Sequence, residues 1–224
     1  MVGNSISPDV TTYDSLIQGL SCMGRWEEST RLFNEMVSNG ISPDAVTINI
    51  TMDTLCKEGM AEKVHELFDV VIQRGGKLNT ISYNILMDGY SLQGKMDIAM
   101  EVFKSMVADS IEHDVYTYDV LINGVCKSRR INEAIRLFQE MRHKGLVPNI
   151  ITCNTLLGGL LVASNAQVAL TLINEMEASG PSPNRITYIT LLDGLYKRNY
   201  IGEVMNVFQA MVNSNFQPCM HQNL

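Results

Sequence analysis

Long hydrophobic runs are the first thing missing from this chain. Its longest mainly apolar stretch, residues 156–163, is far shorter than the roughly 20 residues a helix needs to cross a bilayer. No membrane partner is therefore expected. The opening residues, MVGNSISPDV, have no charged n-region, no apolar h-region and no Arg-rich amphipathic stretch, so no targeting peptide is expected in this chain. A basic excess is also absent. The formal net charge is −7, which argues against a generally adhesive nucleic-acid binder but leaves room for a local groove. The five cysteines, Cys22, Cys56, Cys126, Cys153 and Cys219, are odd in number and far apart. They read as reduced thiols in an intracellular setting rather than as a disulfide framework.

Constellations that carry chemistry are equally thin. Cys219 and His221 stand two apart with no second pair, so a zinc site is not expected. His65, His113 and His143 fall at unrelated places and read as surface residues. GGKLN at 75–79 lacks the spacing of a phosphate-cradling loop and reads as a helix end. Cys22, Cys56 and Cys126 lie near the same turn of the first helix, but no histidine column accompanies them, which argues against a nucleophilic cysteine. The expectation is a non-enzyme without cofactor or metal.

What is present is a folding composition, with 46% apolar and 18% charged residues, arranged in repeats. Steps of 35 residues connect Tyr13, Ile48, Tyr83, Tyr118, Cys153 and Tyr188. The same step connects Gly19, Thr54, Gly89, Gly124, Gly159 and Gly194, and also Phe33, Phe68, Phe103, Phe138, Ile173 and Phe208. A fourth column holds Met36, Val71, Met106, Met141, Met176 and Met211. The period is unbroken and defines repeats at 10–44, 45–79, 80–114, 115–149, 150–184 and 185–219. Residues 1–9 match the tail of a preceding repeat, and 220–224 form a short C-terminal tail. A fixed period of this size signals a solenoid, whose neighbours bury one another's apolar faces.

Each repeat divides into two helices. In 115–149 the segment YTYDVLINGVCK places Tyr118, Leu121, Ile122 and Val125 on one helical face. SRR breaks the pattern where other repeats carry Gly24, Gly59 and Gly94. INEAIRLFQEMRHKG then turns Ile131, Ala134, Ile135, Leu137, Phe138 and Met141 inward and ends at Gly145, as others end at Gly40, Gly75 and Gly180. Glycine there suits the left-handed residue that closes a helix. Pro43, Pro148, Pro183 and Pro218 follow three residues later and stop the helix from continuing. The expected fold class is all-α, a right-handed superhelical solenoid of antiparallel helix-turn-helix hairpins. Neither end carries a polar cap, so weak self-association through the uncapped ends is expected.

The phrases VTTYDSLIQGL, ITCNTLLGGL, LFNEMVSNGISPD and YDVLINGVCKSRRINEAIRLFQEMRHKGLVPN resemble the pentatricopeptide repeats of the pure 35-residue class, with wording similar to the fertility-restorer-like subgroup. The resemblance implies single-stranded RNA as partner, other RNA-processing proteins as further partners, and work in organellar RNA processing, stability or translation. The implied setting is mitochondrial, with the chloroplast as alternative. It also implies that the fifth and last residues of each repeat read one base together. Those pairs are Asp14 with Asp44, Asn49 with Asn79, Asn84 with Asp114, Asp119 with Asn149, and Asn154 with Asn184. Ile189 with Cys219 cannot read a base edge by hydrogen bonds. Asn84 with Asp114 resembles a uracil-preferring pair, and Asn49 with Asn79 and Asn154 with Asn184 resemble pyrimidine-tolerant pairs. Asp14 with Asp44 and Asp119 with Asn149 match no clear preference, and repulsion between two carboxylates would raise one pKa. The implied target reads any, pyrimidine, uracil, any, pyrimidine.

Each column has a plainer reading. The last residues precede helices, and Asp or Asn is the favoured N-cap. The fifth residues lie inside the helix, where asparagine is a poor helix former and capping explains it badly. Second residues Thr11, Val46, Ile81, Tyr116, Ile151 and Ile186, which the resemblance assigns to sandwiching bases, read equally as interhelix core. Lys57, Lys127 and Lys197 recur near the end of the first helix, as phosphate contacts or as charges favoured by the helix dipole. A protein-binding scaffold of the tetratricopeptide kind is the alternative function, although those units prefer 34 residues and other signature positions.

Overall fold

The structure is a computed structural model that describes residues 8–73 and 78–213. The expected role of Gly75 and those of Pro218, Cys219 and His221 lie outside the described residues, as do most of the remnant at 1–9 and the tail at 220–224. Among the described residues the regular structure is helical throughout, with twelve helices and no strand. They pair as α1 (Val10–Cys22) and α2 (Trp26–Ser38), α3 (Ala45–Lys57) and α4 (Ala61–Gln73), α5 (Thr80–Leu92) and α6 (Met96–Ala108) in the first compact unit, residues 1–113. The second unit, residues 114–224, holds α7 (Val115–Lys127) and α8 (Ile131–His143), α9 (Ile150–Val162) and α10 (Ala166–Ser179), α11 (Arg185–Lys197) and α12 (Ile201–Asn213). Within each unit, the first helix of a repeat packs on its own second helix and on the first helix of the next repeat.

Local chemistry sets the helix ends. Every odd-numbered helix starts from an extended Asp or Asn whose side chain accepts first-turn N–H groups: Asp9, Asp44, Asn79, Asp114, Asn149 and Asn184. Each such cap contributes about 1 kcal/mol. The backbone amides of Asn79, Asp114, Asn149 and Asn184 are accepted in return by the hydroxyls of Ser82, Thr117, Thr152 and Thr187, closing capping boxes. The even-numbered helices α2, α6, α8 and α10 have no side-chain cap. Two of them are clamped instead by ion pairs at the entry, Arg25–Glu28 at 2.5 Å and Arg130–Glu133 at 2.8 Å.

The turn between paired helices needs one left-handed residue. Gly24, Gly59 and Gly94 supply it at φ of 70°, 73° and 73°, while Arg129, Ser164 and Asn199 are forced into it at 58°, 63° and 62°. At the end of second helices, Gly40 and Gly145 are left-handed as expected, and Ser110 adopts the same conformation. Gly180 departs from expectation: it is extended, at φ −97° and ψ −168°. Pro181 follows it directly, and the proline ring disfavours helical backbone in the residue before it.

The tyrosine column forms buried posts between helices. Tyr118 Oη donates to Glu140 at 2.8 Å, Tyr188 to Glu177 at 3.0 Å, Tyr13 to Glu35 at 3.1 Å, and Tyr83 to Asp109. Burial, reinforced by the neighbouring carboxylates, pushes the Tyr83 and Tyr118 phenols well up. Phe68 meets Tyr83 edge to face at 4.7 Å, a geometry worth about 0.5–1.5 kcal/mol beyond area burial. The histidines are corrected from the surface reading. His65 bonds the Tyr90 hydroxyl at 2.7 Å, and His113 stacks on Phe103 at 4.0 Å; both are half-buried, and only His143 of the three is exposed.

The glycine column marks close helix approach. A Cβ on Gly89 would lie 2.3 Å from Cys56 Sγ, one on Gly159 2.5 Å from Cys126 Sγ, and one on Gly194 2.7 Å from Leu161. Thr54 breaks the column, and its neighbour there is the smaller Ser21, to which its hydroxyl donates at 2.8 Å.

Candidate nucleic-acid interface

Places 2, 5, 9 and 13 of a repeat fall on one stripe of its first helix, because steps of three and four residues return to the same face. The second residues on that stripe are not core. Val46, Ile81, Tyr116, Ile151 and Ile186 are 58%, 57%, 58%, 65% and 62% exposed, and Thr11 is exposed as well. Five bulky apolar side chains are thus held in water at one recurring place, and all but Ile186, which has Ile189 there, stand one helical turn from a polar residue at place 5.

Four of the fifth residues, Asp14, Asn49, Asp119 and Asn154, are bound to the start of the following repeat. Thr47 Oγ1 donates to Asp14 Oδ1 and lies 3.1 Å from its own cap, Asp44. Ser82 Oγ lies 2.7 Å from Asn49 Oδ1 and 3.2 Å from Asn79 Oδ1. Thr187 Oγ1 lies 2.7 Å from Asn154 Oδ1 and 3.1 Å from Asn184 Oδ1. Thr152 Oγ1 donates to Asp119 Oδ1 at 2.5 Å. A single hydroxyl, from the third residue of the next repeat, therefore bridges the fifth and last residues in the first, second and fifth repeats. In the fourth repeat the pair also touches directly, Asn149 Nδ2 donating to Asp119 Oδ2 at 2.9 Å. Both Asp119 oxygens are thereby used inside the protein.

The remaining candidates are placed as follows. Asn84 is 2% exposed, against half-burial for Asn49 and Asn154; it belongs to the first compact unit and Asp114, the cap of α7, to the second. Asp44 does not show the raised pKa expected of two facing carboxylates. Its carboxyl is held below the ordinary value, chiefly by the Thr47 backbone N–H. Lys57 and Lys197 are exposed but tied to the aspartate one turn back on the same stripe, Asp53 at 2.6 Å and Asp193 at 2.7 Å. Lys127 has Asn123 at that place, and no carboxylate among the described residues lies within ion-pair distance of it. Ile189 is 48% exposed, and Cys219 lies outside the described residues. Among the described residues no group of three or more His, Cys, Asp or Glu could hold a metal, and no helix is long and apolar enough to cross a membrane.

Sequence reasoning missed the third column, Thr12, Thr47, Ser82, Thr117, Thr152 and Thr187. Its signal was available as an unbroken run of hydroxyl residues at one place.

The chain is similar to the maize pentatricopeptide repeat protein PPR10, with 27% identity and a TM-score of 0.79 over 93% of this chain and 30% of that one. PPR10 in complex with an 18-nt psaJ RNA element is 25% identical with a TM-score of 0.71, over 96% of this chain and 30% of that one. The PPR domain of Arabidopsis thaliana protein-only RNase P 1, in complex with tRNA, is 16% identical with a TM-score of 0.68, over 81% of this chain and 96% of that one. That last likeness bears on the fold alone. The chain thus spans 30% of the PPR10 chains it matches. Among curated proteins no match is found. The PPR repeat family model matches residues 8–57, 44–92, 78–127, 113–161 and 148–197, and a PPR repeat matches 186–216. The chain belongs to the pentatricopeptide repeat family.

Proposed function

We propose that this chain binds single-stranded RNA sequence-selectively, one base per repeat, with the fifth and last residues as readers and the second residues as stacking surfaces. The observation that carries the reading is the exposed second column. Holding Val46, Ile81, Tyr116, Ile151 and Ile186 in water leaves apolar surface unburied, and a flat base entering between successive members of one unit buries it. Stacking on an aromatic contributes about 1–3 kcal/mol per base, so Tyr116 is the strongest member. PPR10, to which the chain is similar, has been crystallised with RNA.

The preferred target is any, pyrimidine, uracil, any, pyrimidine. The indifference assigned to the fourth repeat is supported by the closed Asp119–Asn149 contact, which uses both carboxylate oxygens. The unbroken 35-residue period supports assignment to the pure class, and the fertility-restorer-like wording is carried over with it. The proposed role is processing, stabilisation or translation of an organellar transcript, mitochondrial first and chloroplast as alternative, together with other RNA-processing proteins. The chain acts by occupying its site, without catalysis.

The test is a binding titration of the matched RNA against its purine-swapped version at two salt concentrations. Tighter binding of the matched RNA is expected. Lys127→Ala is expected to flatten the salt dependence by about 0.7 in log–log slope, the value for one single-strand phosphate contact. Equally negligible affinity for both RNAs would transfer the fold to the scaffold function.

A further inference from the structure

Among the described residues, the reading pairs of the first, second, fourth and fifth repeats are each gripped by a hydroxyl of the next, and the polarity of that grip follows from hydrogen-bond counting. A hydroxyl has one proton to give. Thr187 Oγ1 already accepts the backbone N–H of Asn184 at 3.0 Å, and Ser82 Oγ accepts that of Asn79 at 3.4 Å. Their protons must go elsewhere, and the nearest acceptors are Asn154 Oδ1 and Asn49 Oδ1, both at 2.7 Å. The cap oxygens are farther, at 3.1 and 3.2 Å, and already accept the Thr187 and Ser82 backbone amides. The amide oxygens of Asn49 and Asn154 are thus committed to the protein. Among the described residues neither amide nitrogen has a hydrogen-bond partner. The side chain that can turn either end to a ligand is thus held by its oxygen, and its NH2 is the end left for a ligand.

We propose that the third residue of a repeat is a positioning residue for base selection in the repeat before it: the hydroxyls of Ser82 and Thr187 hold Asn49 and Asn154 as donors, so the bases facing the second and fifth repeats must set an acceptor where that NH2 reaches, a place that differs between a one-ring pyrimidine and a two-ring purine. This rests on the base-reading assignment above. It extends that assignment by placing one determinant of each preference in the following repeat. An unheld asparagine can flip its amide and meet a donor edge as readily as an acceptor edge, so loss of the hydroxyl relaxes selection rather than abolishing binding.

The experiment uses the full chain with Thr187→Val, Thr187→Ser and Ser82→Ala. Valine keeps the shape of threonine without the hydroxyl. The cap bond from the residue-187 backbone N–H to Asn184 Oδ1 is independent of the side chain, so α11 retains its N-cap. Affinity is measured for RNAs carrying a pyrimidine or a purine at the base facing the fifth repeat, and separately at the bases facing the second and the third. Discrimination at the fifth-repeat base is expected to fall about five- to tenfold in Thr187→Val, the loss of one oriented hydrogen bond. It should stay intact at the third-repeat base and be retained in Thr187→Ser. Ser82→Ala should relax the second-repeat base alone, and it gives an independent reading should Thr187→Val lose its fold. Weaker binding with an unchanged pyrimidine-to-purine ratio in both hydroxyl-less variants would overturn the proposal and leave the hydroxyls as caps. Absence of discrimination in the unmodified chain would overturn the base-reading assignment and the proposal with it.

Discussion

Adding one methyl group to Gly89 tests whether the glycine column sets the spacing of successive repeats. The new Cβ would lie 2.3 Å from Cys56 Sγ, 3.2 Å from Cys56 Cβ and 3.5 Å from Ala61 Cβ. Apolar atoms pack at about 3.5–4.0 Å, so the overlap with sulfur exceeds about 1 Å. Cys56 is buried, and its thiol donates to the Ile85 carbonyl at 3.4 Å, so the sulfur cannot swing aside without losing that bond. Overpacking of this kind costs about 1–3 kcal/mol, and the helix propensity gained by Gly→Ala offsets up to about 1 kcal/mol. Gly89→Ala should therefore destabilise the chain by roughly 1–2 kcal/mol, read as a drop of about 2–4 °C in Tm per kcal/mol. Gly19 is the internal control: it stands in the same column with no atom within 4 Å of its added Cβ, so Gly19→Ala should gain up to about 1 kcal/mol. The decisive measurement is a double-mutant cycle in urea. With Cys56→Ala in place, the only close approach left from that side chain is the 3.2 Å contact to Cβ, and Gly89→Ala should turn neutral or stabilising. The same loss in both backgrounds would refute the reasoning, since the sulfur would then not be what the missing side chain makes room for.

Two further outcomes follow from conformation and charge. Arg129 is exposed and sits at φ 58° where three sibling repeats use glycine, so Arg129→Gly should raise stability by about 0.5–1 kcal/mol in thermal unfolding; no gain would mean the turn is unstrained. Burial pushes the Cys56 thiol up to about 12 and the Cys126 and Cys153 thiols to about 11, against an ordinary value of 9.0, so the folded state favours the neutral thiols. Their contribution to stability is full below pH about 9 and is lost as pH rises towards 11–12, in the same direction as the raised Tyr83 and Tyr118 phenols. Tm should be flat to about pH 9 and fall above it, with exposed Cys22 alkylated at pH 8 well before the other three; a Tm unchanged to pH 11 would contradict the assignment.

Much of the architecture is legible in the sequence because it is local. The period, the hairpin division and the Asp or Asn caps each rest on residues a few places apart. The second column was ambiguous for a physical reason. Periodicity places Ile81 or Ile151 on a face of a helix, but it cannot say whether the next repeat covers that face. The same gap hid the partner of each glycine: Cys56 and Cys126 share a register in the sequence, yet nothing there says their sulfurs meet Gly89 and Gly159. Gly180 was a different failure, since the proline after it is in plain view and the recurrence of glycine outweighed it. The third column was passed over because Ser and Thr after an N-cap are already explained by capping. Their second role depends on contacts 33 residues away.

Under the proposed base-reading assignment, those contacts shift the unit of recognition away from the unit of folding. A reader consists of the fifth and last residues of one repeat and the third residue of the next, so it sits at a junction. Two of its three members are also the capping box of the following helix, and this limits what the reader can contain. The last residue must remain a capper, since replacing Asp or Asn by an apolar residue costs about 1 kcal/mol before any base is bound. The fifth must offer an acceptor to the hydroxyl, or leave that proton with the more distant cap oxygen. Asn49, Asn154, Asp14 and Asp119 all meet that demand, whereas Ile189 cannot. The recurrence of asparagine and aspartate along the reading column then follows from two requirements at once, a polar edge for the ligand and an oxygen for the neighbour. An exchange at place 5 that keeps an oxygen should leave the junction standing, and one that removes it should loosen the start of the next repeat as well as the base in front of it.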